Sequence, residues 1–340
     1  MVRNNFHIIT ADVIERILLE HESNVWGIIK NTYLEHANRR TVNPSSFFLC
    51  FPEDITSRII ALPAALNYKP KIAGIKWIGS NPQNIQCGME RASATIILND
   101  YETKYPLACL EGSIISKMRT AVSAVIAAEY LSKNKDEILG IIGCGPVSSC
   151  IVDILKTRSF QIKKIYLFDK NIERIHDFIN YHHNDIDIVI AKSYDELIQN
   201  SNLIVFGTSS IKPYIHNVEL FDHKPVILHI SLRDLGCNII ENSDNFVDDI
   251  DHVLNANTSV DLLFQKLKNK NFINGTLADV INNKVQVNYN KTRIFSPMGL
   301  GVLDLAVASL VFDIAVNNKS SINIQHFFKA NAMTTSKLSK

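Results

Sequence analysis

Apolar residues fall at helical spacing between residues 11 and 38 (Ile14, Ile17, Leu18, Val25, Ile28, Ile29, Tyr33), with Asn31 and Glu35 among the outward polar positions, which predicts one amphipathic helix. Five short strand-like runs follow, at 47–51, 58–62, 73–78, 92–98 and 107–110. Turn formers such as Ser80-Asn81-Pro82 and Asn99-Asp100 part them. Helical period returns over 113–132, where Ile114, Met118, Val122, Val125, Ile126 and Tyr130 make an apolar stripe. A short joint, Asn134-Lys135-Asp136, leads on into a different rhythm, so this helix is expected to bridge two halves of the chain.

In the second half strands alternate with helices. Apolar runs at 138–143, 164–169, 186–190, 203–207, 226–231 and 245–248 read as buried strands, with helices near 147–158, 171–182 and 194–200. That alternation predicts an α/β fold with a Rossmann-type, doubly wound parallel sheet. The polar stretch 269–291 carries turn and short-helix signals, and Ser296-Pro297-Met298-Gly299-Leu300-Gly301 opens an apolar helix over 302–316. A helix so apolar, arriving after the sheet is complete, must bury itself elsewhere. Packing back onto the N-terminal half makes that half discontinuous. The expected organisation is a β-rich domain of residues 1–125 and 303–330, a dinucleotide-type domain of residues 126–302, and a small polar tail, 331–340, expected to be disordered.

The run 138–142 ends in Gly143-Cys144-Gly145, and after Pro146 a helical apolar pattern (Val147, Ile151, Ile154, Leu155) starts at once. The next strand closes on an acid, Asp169. That order suits a dinucleotide. Glycines let the backbone approach a pyrophosphate, a helix N-terminus offers free N–H groups, and the acid accepts hydrogen bonds from ribose hydroxyls. Ser148 stands where the fingerprint has its third glycine, and is small enough to keep helix and strand close. A carboxylate at 169 repels a 2′-phosphate, so NAD is expected rather than NADP, with Gly143, Gly145, Pro146, Val147 and Asp169 at its site.

Composition narrows the class without naming a chemistry. Thirty-five basic residues balance 34 acidic ones in a chain of 340, so nothing calls for nucleic acid or an anionic membrane surface. The first residues lack the apolar stretch of a signal peptide, and no run reaches a membrane span. Six scattered cysteines without a Cys-x-x-Cys read as reduced thiols, and His182-His183 is followed by no matching cluster, so no metal is expected. A cytoplasmic globular protein is the expectation.

Four pieces outside the glycine turn carry candidate chemistry. Lys76, in Gly74-Ile75-Lys76-Trp77-Ile78, lies in a run so apolar that its charge needs a negative partner, unless the strand is an edge with Lys76 in water. A carboxylate-binding or proton-shuttling lysine is the functional reading. Arg91, just before a strand, suits bidentate carboxylate binding or a solvated strand end. Arg119, in Lys117-Met118-Arg119-Thr120, falls on the polar face of the bridging helix, within reach of a cofactor phosphate or a substrate carboxylate. Ser231 to Asp234 follow a parallel strand at the ligand end of the sheet, which makes Asp234 a candidate acid–base group (or a helix cap) beside Arg233. Thr208 and Ser209, also at a strand end, are placed to line a cofactor.

Together these pieces resemble the ornithine cyclodeaminase/μ-crystallin family over almost the whole chain. Gly74-Ile75-Lys76-Trp77, Ala94 to Asp100, Arg119-Thr120-Ala121-Val122-Ser123-Ala124, Gly140 to Gly145 and Ser296 to Asp304 carry the resemblance. It implies a homodimer with a discontinuous substrate and dimerisation domain joined to an NAD(P) domain. It also implies that Lys76 contacts substrate, that Arg119 and Thr120 contact a cofactor phosphate, that Asp234 stands nearest the catalytic aspartate, and that Met298 and Gly299 lie at the cofactor.

Within the family the likeness runs to the siderophore-pathway branch, the N-(2-amino-2-carboxyethyl)-L-glutamate dehydrogenases, which supply 2,3-diaminopropionate. Thr41-Val42-Asn43-Pro44, Gly88 to Ser93, Ile230 to Leu235 and Val247 to His252 carry it. It implies a tricarboxylate substrate held by Lys76, Arg91 and Arg233. Ser46 stands about where cyclodeaminases have a substrate-binding arginine, which speaks against ornithine. A cyclodeaminase, an alanine-dehydrogenase-like or imine-reducing enzyme, and a non-catalytic binding protein are the alternatives.

Overall fold

A computed structural model of the chain describes residues 5–182 and 186–328. The expected tail, 331–340, lies outside the described residues. The chain divides into two compact units, Met1–Arg119 with Leu300–Lys340, and Thr120–Gly299. Both divisions fall a few residues earlier than the expected boundaries at 125 and 302, the first of them inside the bridging helix.

The first unit opens with β1 (Phe6–Ile9), α1 (Ala11–Glu20) and α2 (Glu22–Ala37). The single helix expected over 11–38 is therefore broken at His21, whose φ of −120° leaves the helical region. Buried Ile14, Leu18, Val25 and Ile29 keep one helical phase across the break, and histidine is no helix breaker, so the pattern held no sign of it. Then come β2 (Thr41–Val42), β3 (Phe47–Phe51), β4 (Asp54–Leu66), β5 (Ile72–Ser80), β6 (Ala92–Asp100), β7 (Pro106–Glu111) and α3 (Ser113–Leu131). Strand β5 runs antiparallel between β4 and β6, with Lys76 opposite Leu62 on one side and Ile96 on the other. It is no edge strand, and the solvated reading of Lys76 falls.

The second unit holds β8 (Asp136–Ile142), α4 (Pro146–Thr157), β9 (Gln161–Phe168), α5 (Ile172–His182), β10 (Asp187–Ile190), α6 (Tyr194–Gln199), β11 (Leu203–Phe206) and β12 (Val226–His229). It continues through α7 (Cys237–Glu241), β13 (Asp244–Val247), α8 (Ile250–Val253), α9 (Ser259–Leu267), β14 (Ile273–Thr276), α10 (Leu277–Ile281) and β15 (Arg293–Ser296). All its strands run parallel, in the order β10-β9-β8-β11-β12-β15-β13-β14. The order reverses beside β8, and at such a switch point the crevice beyond the strand ends takes ligands. Strands β14 and β15 were hidden in sequence. Arg293-Ile294-Phe295-Ser296 is four residues with two polar ends, yet it lies fully buried between β12 and β13.

The chain then re-enters the first unit as α11 (Gly301–Asn317) and β16 (Ile322–Ile324), which pairs with β1. Helix α11 is buried on nearly every side and packs on α1, α2, β4, β5 and β6, as its composition demanded. The Val302 N–H donates to Asn43 Oδ1 at 3.1 Å and so satisfies one of the free donors of the first turn. No helix among the described residues is long and apolar enough to cross a membrane.

Candidate active site

Gly143 has a φ of +93°, and a Cβ there would lie 2.6 Å from the Gly207 carbonyl oxygen. No other residue fits this turn. Gly145 is different: it precedes α4 with ordinary backbone angles, and an added Cβ would meet nothing within 4 Å. The space it leaves open faces the free N–H groups of a helix N-terminus, with Pro146 at its first position. Ser148 donates to the Gly143 carbonyl at 2.7 Å, a bond that the missing third glycine would not make.

Half-buried Asp169 accepts the Cys144 N–H at 2.8 Å and the Asn171 N–H at 2.9 Å, so the acid is tied to the turn it faces. Burial, and then the Asp169 charge, push the Cys144 thiol up to about 12, which makes it an inert filler. His182, buried, hydrogen-bonds Ser149 at 2.8 Å, and His183 lies outside the described residues.

At the ends of β11 and β12 a second polar group forms around Asp234, which is 0% exposed. Its carboxylate accepts from the hydroxyls of Thr208 and Ser231 and lies 3.2 Å from His229 Nε2. His229 Nδ1 in turn lies 3.3 Å from Ser296 Oγ. Burial by itself would raise the Asp234 pKa, but the bonds from His229, Ser231 and Thr208 outweigh it and hold the group ionised. The hydroxyl of Tyr214 bonds the same carboxylate, and its pKa is raised by burial and by that charge. Asp234 lies at the ligand end of the sheet, as expected for a candidate acid–base group, and the hydroxyls of Thr208 and Ser231 stand around it. Ser209 is exposed, and Arg233 donates to the Ala256 carbonyl at 2.6 Å.

Asp248, at the end of β13 and 2% exposed, accepts the Met298 N–H at 3.0 Å and the Gly299 N–H at 2.6 Å. These two bonds fix the loop after β15, where Gly299 has a φ of +94°.

The first unit holds a charged cluster of its own. Lys76 Nζ on β5 lies 2.8 Å from Asp304 Oδ2, and Arg119 Nε on α3 lies 3.1 Å from Asp304 Oδ1. Ser116 Oγ is 3.1 Å from the same Nζ and 3.3 Å from an Arg119 guanidinium nitrogen. Lys76 is 2% exposed, Arg119 8% and Asp304 0%. Arg119, expected on a polar helix face, is thus buried against a carboxylate. Burial pushes the Lys76 ammonium down to about 8, against the raising effect of Asp304. For Asp304 burial acts upward, but the charges of Arg119 and Lys76 hold its pKa below the usual carboxylate range.

Arg91 is exposed and donates to Ser80 Oγ at 2.7 Å. Ser80 shares a strand face with Lys76, roughly 13 Å along β5 at 3.3 Å per residue.

A family model, the ornithine cyclodeaminase/mu-crystallin family, matches residues 18–319. The chain belongs to this family. The resemblance read from its motifs is borne out. N-((2S)-2-amino-2-carboxyethyl)-L-glutamate dehydrogenase of Staphylococcus aureus is 30% identical over 82% of this chain and 86% of its own length. Among solved structures, the Thermococcus litoralis Delta(1)-pyrroline-2-carboxylate reductase, in complex with NADH and L-proline, superposes with a TM-score of 0.85 at 21% identity, covering 94% of this chain and 100% of that one. An archaeal alanine dehydrogenase dimer with bound NAD gives 0.84 at 23%, covering 95% and 100%. These likenesses bear out the α/β fold with its Rossmann-type parallel sheet.

Against this family background, sequence reasoning overlooked Asp304, Asp248 and His229. Asp304 is an acid inside Val302-Leu303-Asp304-Leu305-Ala306, as anomalous there as Lys76 in its strand. Two opposite buried charges, each lacking a partner, were the signal that would have paired them.

Proposed function

We propose that this chain is an NAD-dependent oxidoreductase acting on a CH–NH bond, and that it converts N-(2-amino-2-carboxyethyl)-L-glutamate to 2-oxoglutarate and L-2,3-diaminopropionate. The observation that carries the reading is the Lys76–Asp304–Arg119 cluster. Two cations against one carboxylate leave one positive charge in a buried setting, which calls for an anionic ligand. A tricarboxylate supplies it. The likeness to the Staphylococcus aureus dehydrogenase supports this choice among amino acids.

The second unit is assigned the cofactor. Gly143, Gly145, Pro146 and Val147 present the α4 N-terminus to the pyrophosphate, with Thr120 beside it, and Asp169 takes the ribose hydroxyls. Thr208, Ser209, Ser231, Met298 and Gly299 line the remainder, the first and third oriented by Asp234 and the last two by Asp248. The open space at Gly145 and the forced turn at Gly143 fit such a group. Bound NAD supplies the hydride acceptor, so the substrate's Cα–N bond is left as an imine, which water divides into the two products.

Lys76 and Arg119 bind a substrate carboxylate, with Arg91 and Arg233 for the others. Arg119 moves from the phosphate to this role because it shares Asp304 with Lys76. Lys76, poised at about 8, also holds and releases the proton that carbinolamine formation and collapse require. Asp234 anchors the hydroxyls of Thr208 and Ser231 at the strand ends. A second copy of the chain covers the apolar side chains left open on β3 to β5, among them Phe47 (68% exposed), Ile55 (90%) and Trp77 (43%). Six free thiols accord with a place in the cytoplasm, and the product L-2,3-diaminopropionate with siderophore supply.

The test follows NADH absorbance with the glutamate–diaminopropionate adduct, ornithine, lysine and alanine in parallel. Net NADH from the adduct is expected. Ammonia from ornithine or lysine without NADH would make the chain a cyclodeaminase, NADH from alanine alone an alanine dehydrogenase, and nucleotide binding without turnover a binding protein.

A further inference from the structure

Lys76 and Arg119 come from different elements, β5 and α3, and meet only at Asp304 on α11. Each cation takes its own oxygen of the one carboxylate, and Ser116 Oγ stands within 3.3 Å of both. Asp304 lies in the first turn of α11, where the helix dipole favours a negative charge. A carboxylate held so, with no exposed surface, has no freedom to swing towards one cation and release the other. We propose that Asp304 is a positioning residue: it holds Lys76 and Arg119 as a fixed pair and sets the cluster at one uncompensated positive charge, matched to a single ligand carboxylate. This rests on the reading of the cluster as a carboxylate site.

Merely structural ion pairing predicts that losing Asp304 costs stability and nothing else. Positioning predicts more. Among the described residues the charges acting on Lys76 come from α11 and α3 (Asp304 and Arg119), and those acting on Asp304 from α3 and β5 (Arg119 and Lys76). With the carboxylate gone, Lys76 faces only burial and a neighbouring cation, so it gives up its proton more easily and the pair no longer presents a fixed charge.

The experiment titrates Lys76 by NMR in the full chain carrying 13Cε-labelled lysine, with K76R identifying the resonance, and measures 2-oxoglutarate affinity in the presence of NADH. Asp304→Asn is expected to lower the Lys76 midpoint by about one pH unit or more, a tenfold gain in the ratio of neutral to charged amine. It is also expected to weaken 2-oxoglutarate at least about tenfold with NADH affinity unchanged within about twofold, while Asp304→Glu restores the midpoint. An unchanged midpoint with unchanged 2-oxoglutarate affinity overturns the proposal. Should Asp304→Asn fail to fold, the double variant K76M/D304N, which removes a cation together with its counter-charge, is expected to fold. Its failure too would show that Asp304 serves something other than the two cations, and would overturn the proposal equally. Absence of adduct turnover in the unaltered chain would sink the proposed reaction instead, with the Lys76 titration still deciding the role of Asp304.

Discussion

Lys76 Nζ and Asp304 Oδ2 lie 2.8 Å apart although 228 positions separate them in the chain. Each is a charge set in an apolar run, and each makes the other tolerable: a buried ion left alone costs several kcal/mol, and the pair offsets much of that. Arg119 then tips the balance to positive, which supports the proposed carboxylate site.

The proposed carboxylate site carries a pH dependence set by Lys76. Its pKa, pushed down from the ordinary lysine value to about 8, means that the ammonium is present at neutral pH and lost as pH rises through 8. Affinity for 2-oxoglutarate is therefore expected to hold up to about pH 8 and then fall by up to about tenfold per unit. In Lys76→Arg the fall should vanish from this range, since guanidinium stays charged. Calorimetric titration from pH 6 to 10 checks both.

The two glycines of the nucleotide turn should separate folding from binding. Gly143→Ala meets the Gly207 backbone at a positive φ and is expected to lower Tm by several degrees, roughly 1–3 kcal/mol of backbone strain. Gly145→Ala meets nothing, so Tm should stay put while NADH affinity drops. Paired thermal melts and NADH fluorescence titrations read the difference.

Replacing Asp169 by Ala removes the acceptor of the Cys144 N–H and the negative charge opposed to a 2′-phosphate. NAD binding should weaken by about 1.5–3 kcal/mol, the range for a hydrogen bond to a charged group, and the preference over NADP should shrink. Unchanged cofactor preference would exclude the ribose contact.

Asp234→Asn sets an amide donor where Thr208, Ser231 and His229 already crowd a buried carboxylate. As an anchor, Asp234 should show its loss first in stability, by about 1–3 kcal/mol, with turnover reduced less than a hundredfold. A loss of about 10²–10⁴ in kcat at unchanged Tm would make it the acid–base group after all.

Charge placed on the open apolar face should alter the oligomeric state. The unaltered chain is expected to sediment as a dimer, and the double variant Phe47→Asp with Ile55→Glu as a monomer of unchanged Tm.

Local signals carried the second unit. A strand, a glycine turn, a helix and an acid are consecutive in sequence, and Gly143 is required by its own positive φ together with the backbone of Gly207 after the adjacent strand. Even there, β15 escaped notice, because Arg293 and Ser296 are buried by strands from elsewhere and not by any pattern of their own. The break at His21 escaped for the converse reason, since the apolar stripe runs through it in phase.

What the sequence determined by itself, then, was the kind of most elements, the strand–glycine turn–helix order closing on Asp169, and the need of Lys76 for a negative partner. Which residue met that need was decided only by the return of α11 onto β4, β5 and β6, and the same packing turned Arg119 from a surface cation into a buried one. Periodicity and turn chemistry act over a few residues and are written into the order of the chain. Burial and pairing of charge depend on which distant surface arrives opposite, and that is settled when the core closes.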